Sequence, residues 1–128
     1  MRITLKNLHE ATAQQVFDQV ANHLLTQGRE SMVNGRCLYR APGGLQCAAG
    51  CLVGDDEYDE MMEKKNWSRL VSGGSVPPDH EDLIFALQKL HDTVNPFFWE
   101  TKLIETARDH GLSEKVITDF RSEKLKDC

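Results

Sequence analysis

Thr12-Ala13-Gln14-Gln15-Val16-Phe17-Asp18-Gln19-Val20-Ala21-Asn22-His23-Leu24-Leu25-Thr26-Gln27-Gly28 carries both ends of an amphipathic helix and the stripe between them. Thr12 with Gln15 three residues on fits the capping-box pattern, in which a hydroxyl and a side-chain amide satisfy the unpaired N–H groups of a first turn. Val16, Val20 and Leu24 recur every fourth residue with Phe17, Ala21 and Leu25 beside them, which is the period of one buried helical face. The spacing predicts a helix from about Thr12 to Gln27, and Gly28 stops it.

The same signals recur toward the end of the chain. Asp79 is expected to cap a helix with Leu83, Leu87, Leu90 and Val94 in one stripe, widened by Ile84 and Phe85. Asn95-Pro96 reads as an N-cap followed by proline at the first helical position, leading a helix through Trp99, Leu103, Ile104 and Ala107 to Gly111. Ser113 caps a last helix with Val116, Ile117 and Phe120 inward and Leu125 near its end. Between the halves, Ser72-Gly73-Gly74-Ser75-Val76-Pro77-Pro78 is a loop by composition.

After the first helix, Asn34-Gly35 is a turn dipeptide, Cys37-Leu38-Tyr39-Arg40 has the bounded shape of a short strand, and Ala41-Pro42-Gly43-Gly44 is a second turn. Cys47 to Val53 is small and apolar, and is read as a short helix. The fold class expected is mainly α, with four principal helices and a small β-hairpin or extended loop after the first.

The 128 residues fall in the usual single-domain range, so 1–128 is read as one domain able to bury a sizeable core. Hydrophobic residues make up 40% and charged residues 27%, as in ordinary globular chains. No run approaches the roughly 20 apolar residues of a membrane helix. The N-terminal residues lack an apolar block with a cleavage site, so the expected location is the cytoplasm. A formal net charge of -5 argues against broad binding of phosphate backbones and suits a partner with a basic surface. In a reducing compartment Cys37, Cys47, Cys51 and Cys128 are expected as free thiols or metal ligands rather than disulfides. Cys128 sits at the chain end, where a role is not expected.

The segment Cys37 to Gly54 admits four chemistries. As a zinc site, Cys47 and Cys51 have ligand-like spacing, Cys37 supplies a third thiolate and His9, His23 or His80 a fourth ligand, although a second close pair is missing. As a nucleophile, Cys47 follows a Gly-Gly turn at a helix start, with His91 and Asp92 as base and orienter. As an anion cradle, Gly43 and Gly44 present N–H groups beside Arg36 and Arg40, without the Lys-Ser/Thr ending of a P-loop. As packing, the cysteines act as small apolar groups, Ala48, Ala49 and Gly50 admit close neighbours, and Tyr39 and Leu52 are core. Composition favours the last.

Asp55, Asp56, Glu57, Asp59, Glu60 and Glu63 form an acidic cluster, read as a solvated helix face that could meet a basic partner, without the spacing of an EF-hand loop. Met61, Met62 and Trp67 beside it offer either an adaptable contact surface or core. His91, at a helix end, is read as stabilised by the helix dipole.

Phe17-Asp18-x-Val20 with His23-Leu24-Leu25, followed by Cys37-x-Tyr39-Arg40-x-Pro42-x-Gly44-x-x-Cys47-Ala48-x-Gly50-Cys51-Leu52, resembles a family of short uncharacterised proteins of tailed bacteriophage and bacterial genomes. The resemblance spans about the first 58 residues and the later His91-Asp92. It carries over no catalytic residue. It implies a small non-enzymatic protein that binds and modulates or inhibits a host protein in the host cytoplasm. The binding residues expected are Arg40, Gly43, Gly44, Asp55, Asp56, Asp59, Glu60 and Trp67. The alternatives are an enzyme or ligand-binding protein using Gly43 to Cys51, and a zinc-stabilised binding module. No cofactor is expected, with zinc at Cys37, Cys47 and Cys51 as the minor alternative.

Overall fold

Thr12 closes the capping box: its side chain accepts from the Gln15 N–H while the Gln15 side chain accepts from the Thr12 N–H. Helix α1 runs Ala13–Gln27 from that cap and ends at Gly28 in the left-handed conformation. The computed structural model describes residues 2–126, with side chains described through 124. Val16, Phe17, Val20, Ala21 and Leu24 are all buried, as the four-residue spacing requires.

Two short antiparallel pairs follow. β1 (Met32–Val33) pairs with β2 (Arg36–Cys37) across Asn34-Gly35, both at positive φ, which is what a two-residue hairpin turn needs. β3 (Arg40–Ala41) pairs with β4 (Leu45–Gln46) across the Gly43-Gly44 turn. The expected single β feature is therefore two hairpins: Leu38 still bonds Ser31 beside β1, while the Tyr39 N–H turns away to Glu63. The short helix expected over Cys47 to Val53 is one 3-10 turn, Gly50–Leu52.

α2 (Trp67–Ser72) arises where no helix was expected. The Asn66 side chain accepts from the Arg69 N–H and starts it, and six residues are too few for a periodic stripe to announce it. α3 (Glu81–Thr93) begins after His80 rather than at Asp79. His80 lies at positive φ with its Nε2 donating to the Ala11 carbonyl at 2.7 Å, so a tertiary bond fixes the helix start in place of a side-chain cap. Leu83, Ile84, Leu87 and Leu90 face inward, but Phe85 faces solvent and does not widen the stripe.

Asn95 accepts from the Phe97 N–H, Pro96 opens a 3-10 turn (Pro96–Phe98), and α4 (Trp99–Asp109) continues from it. The Ser113 hydroxyl accepts from the Lys115 N–H at the start of α5 (Lys115–Lys126), whose Ile117 is fully buried. The side chain of Leu125 lies outside the described residues, as does Cys128.

α1 touches α3, α4 and α5, while α3 also packs against α2 and α4. One apolar cluster runs through these helices from Ile3 to Ile117 and takes in Tyr39, Cys47, Ala48, Ala49, Cys51 and Leu52. The result is a mainly α fold with five helices and two small hairpins among the described residues. No helix among them is long and apolar enough to cross a membrane.

Candidate functional site

His91 is completely buried in the last turn of α3, yet both ring nitrogens have partners. The Ser31 backbone N–H donates to Nε2 at 3.0 Å, so Nε2 is unprotonated and Nδ1 carries the hydrogen that it donates to Asp92 Oδ1 at 2.8 Å. The ring is a neutral tautomer held by the chain before β1, not a cation on a helix dipole. Trp99 lies beside it with ring centroids 5.7 Å apart. Asp92 Oδ1 also accepts from Gln88 Nε2 at 2.7 Å, and Asp92 hydrogen-bonds the Cys37 thiol.

Cys37 Sγ, one His91 nitrogen and one Asp92 oxygen lie within 4.8 Å of one another. Cys37 and Asp92 line a cleft of about 250 Å³ whose walls include Glu63, Lys65 and Gln88. Burial, followed by the nearby Asp92 and then Glu30, pushes the Cys37 thiol up to about 12. The thiol is protonated in this state. Sequence reading separated these residues: Cys37 was assigned to Cys47 and Cys51, and His91 to Cys47.

Cys47 and Cys51 belong to backbone turns instead. Cys47 Sγ accepts from the Gly50 N–H at 3.2 Å, and the Cys51 thiol donates to the Ala48 carbonyl at 3.1 Å. Both thiols are buried, and burial pushes Cys47 well above the ordinary thiol range and Cys51 up to about 12. A reactive thiolate needs the opposite environment. Neither residue joins the Cys37 cluster. The proposed histidine ligands are likewise elsewhere: His9 pairs with Glu10, His23 Nε2 donates to the Gln46 carbonyl at 2.9 Å, and His80 holds Ala11. Burial lowers the pKa of His23.

The anion cradle is not assembled. Arg40 reaches Asp55 at 2.7 Å and the Val53 carbonyl at 2.8 Å, and its guanidinium lies 5.1 Å from the Tyr58 ring centre. Arg36 is exposed on the other hairpin, and Gly43 and Gly44 sit in an exposed turn. The stretch from Cys47 to Leu52 is buried turn and packing. Gly50 shows why: a Cβ there would overlap the Tyr39 carbonyl oxygen and lie 3.0 Å from its carbon.

The acidic cluster is not one helix face, and two of its carboxylates are spent inside the fold. Glu57 accepts from the N–H groups of Leu5, Lys6 and Gly54 at 3.0, 3.0 and 2.7 Å, tying the N-terminal arm to the turn after Val53. Glu63 accepts from the N–H groups of Tyr39 and Arg40 at 2.7 and 3.2 Å and from the Tyr58 hydroxyl. Asp56 pairs with Lys6, Asp55 with Arg40, and Asp59 caps the 3-10 turn Glu60–Lys64 by accepting from the Met61 N–H. Met61 is exposed, but Met62 and Trp67 are buried, so Trp67 is core and not a contact residue.

Sequence reading passed over the surface with the largest apolar groups. Phe97 is 85% and Phe98 54% exposed, edge to face with centroids 5.1 Å apart. The corner that carries them is held by Asn95, which bonds the N–H of Phe97 through its side chain and that of Phe98 through its carbonyl. Trp99 turns inward and donates its indole N–H to the Val94 carbonyl at 2.9 Å. The available signal was Phe97-Phe98-Trp99 itself, since three successive residues of a helical turn cannot all face one core. No family model, no curated protein and no solved structure matches the chain.

Proposed function

We propose that this chain is a small non-enzymatic interaction protein of phage type, which binds and modulates a host protein through the Phe97-Phe98 corner. The observation that carries the reading is the exposure of two adjacent phenylalanines on a corner where both of their N–H groups bond Asn95. Aromatic side chains on a rigid support give large contact area at small entropic cost, which is the character of interface anchors. The net charge of -5 makes a basic surface on the partner the better electrostatic match. A host partner is part of the same proposal, as the resemblance of about the first 58 residues to phage and bacterial proteins implies.

Capture from a bacterial lysate by the wild type and by a Phe97→Ser/Phe98→Ser variant tests this. A host protein retained by the wild type is expected to be lost from the double variant, whose thermal unfolding stays near that of the parent because both rings are exposed. An identical set of captured proteins contradicts the reading. A second variant reversing Asp55, Asp56, Asp59 and Glu60 to Lys decides whether the acidic cluster adds to the contact: weaker, salt-sensitive capture keeps it in the interface, and unchanged capture removes it.

A further inference from the structure

We propose that Cys37 Sγ, His91 Nδ1 and the Asp92 carboxylate form a three-ligand site for a divalent transition ion, zinc foremost, with a fourth position open to the cleft. The set mixes sulfur, nitrogen and oxygen, which suits zinc and not the hard calcium or magnesium ions. Two hydrogens now occupy the place of the ion, the Cys37 S–H and the His91 Nδ1–H, both directed at Asp92. Gln88 holds the carboxylate from behind with its amide at 2.7 Å, the outer support that orients a metal ligand. The half-exposed Asp92 and the cleft of about 250 Å³ supply the entry path.

The protons balance simply. Zinc displaces the thiol hydrogen, which leaves to solvent, and forms the sulfur–metal bond. The imidazole stays neutral, its hydrogen passing from Nδ1 to Nε2 as Nδ1 takes the metal. Nε2–H then faces the Ser31 N–H that it now accepts, so that hydrogen bond must open. Zinc binding is therefore linked to the chain just ahead of β1, and Ser31 reports on it. This differs from a site at Cys47 and Cys51, whose sulfurs are engaged in their own turn.

The test is a zinc titration of the full chain carrying Cys128→Ser, which removes the terminal thiol as a competitor. One zinc per chain is expected, with affinity falling by about tenfold or more in Cys37→Ser and in Asp92→Asn. The Ser31 amide resonance is expected to shift on saturation. Both substitutions lie at partly exposed side chains, and circular dichroism of each variant separates lost binding from lost folding. No zinc uptake by the parent, uptake that survives Cys37→Ser in a folded variant, or a Ser31 amide that does not move would each overturn the assignment.

Discussion

Gly50→Ala is expected to lower stability by about 3 kcal/mol or more, the cost of forcing a methyl group into a filled site. The obstruction is backbone: the added carbon meets the carbonyl oxygen, carbon and Cα of Tyr39, and none of these can rotate away as a side-chain tip could. Tyr39 is itself held by Glu63 at its N–H, by Lys65 at its hydroxyl and by the Cys47 N–H at its carbonyl. Relief therefore means moving the 3-10 turn at Gly50, which carries the buried Cys51 and Leu52. Urea unfolding checks this through the midpoint, which should fall while the slope stays constant. A midpoint within experimental error of the wild type would show that the turn and Tyr39 do not approach as described. Gly43 has open space around it, but its positive φ makes it a poor control for size alone.

Glu63→Ala is expected to cost a similar amount, about 3 kcal/mol, because one carboxylate serves three donors. Truncation leaves the Tyr39 and Arg40 N–H groups and the Tyr58 hydroxyl without their acceptor. Hydrogen bonds to a charged acceptor are the stronger kind, and a donor stripped of its partner in a half-buried place also loses solvation. Glu63→Gln discriminates between charge and shape. One of its ends becomes an NH2 group facing a backbone N–H, so the amide is expected to recover only part of the loss. Glu60→Ala, at an exposed position on the same turn, should stay within about 0.5 kcal/mol of wild type. Equal effects at positions 60 and 63 would mean that the carboxylates act only through general charge.

These two residues also mark what was readable in the chain. Local signals held at several places where a bond closes within a few residues: Thr12 with Gln15, the Asn34-Gly35 turn, Asn95 ahead of Pro96, and Ser113 at the last helix. The periodic stripes of α1 and α3 held as well, apart from Phe85. Apart from the short α2 with its local Asn66 cap, what failed depends on partners distant in sequence. The positive φ of His80 goes with its bond to Ala11, and Glu57 looks like part of a solvated acidic run until Leu5 and Lys6 arrive at its carboxylate. Cys37 meets His91 and Asp92 only because the chain before β1 packs against the end of α3. Spacing along the chain paired Cys37 with Cys47 and Cys51, but Cys47 and Cys51 spend their sulfurs in their own turn, although Cys47 lines the same cleft as Cys37.

Against a Cys47 nucleophile stands one physical statement, that Cys47 and Cys51 are packed thiols whose sulfurs serve local turns. Native alkylation with mass-spectrometric mapping tests that statement. In the folded protein Cys47 and Cys51 are expected to stay unlabelled over the time in which an exposed thiol reacts completely, and to label only in denaturant. Rapid labelling of Cys47 in the folded protein at about pH 6, where an ordinary thiol is almost wholly protonated, would reveal an accessible thiolate and contradict the account.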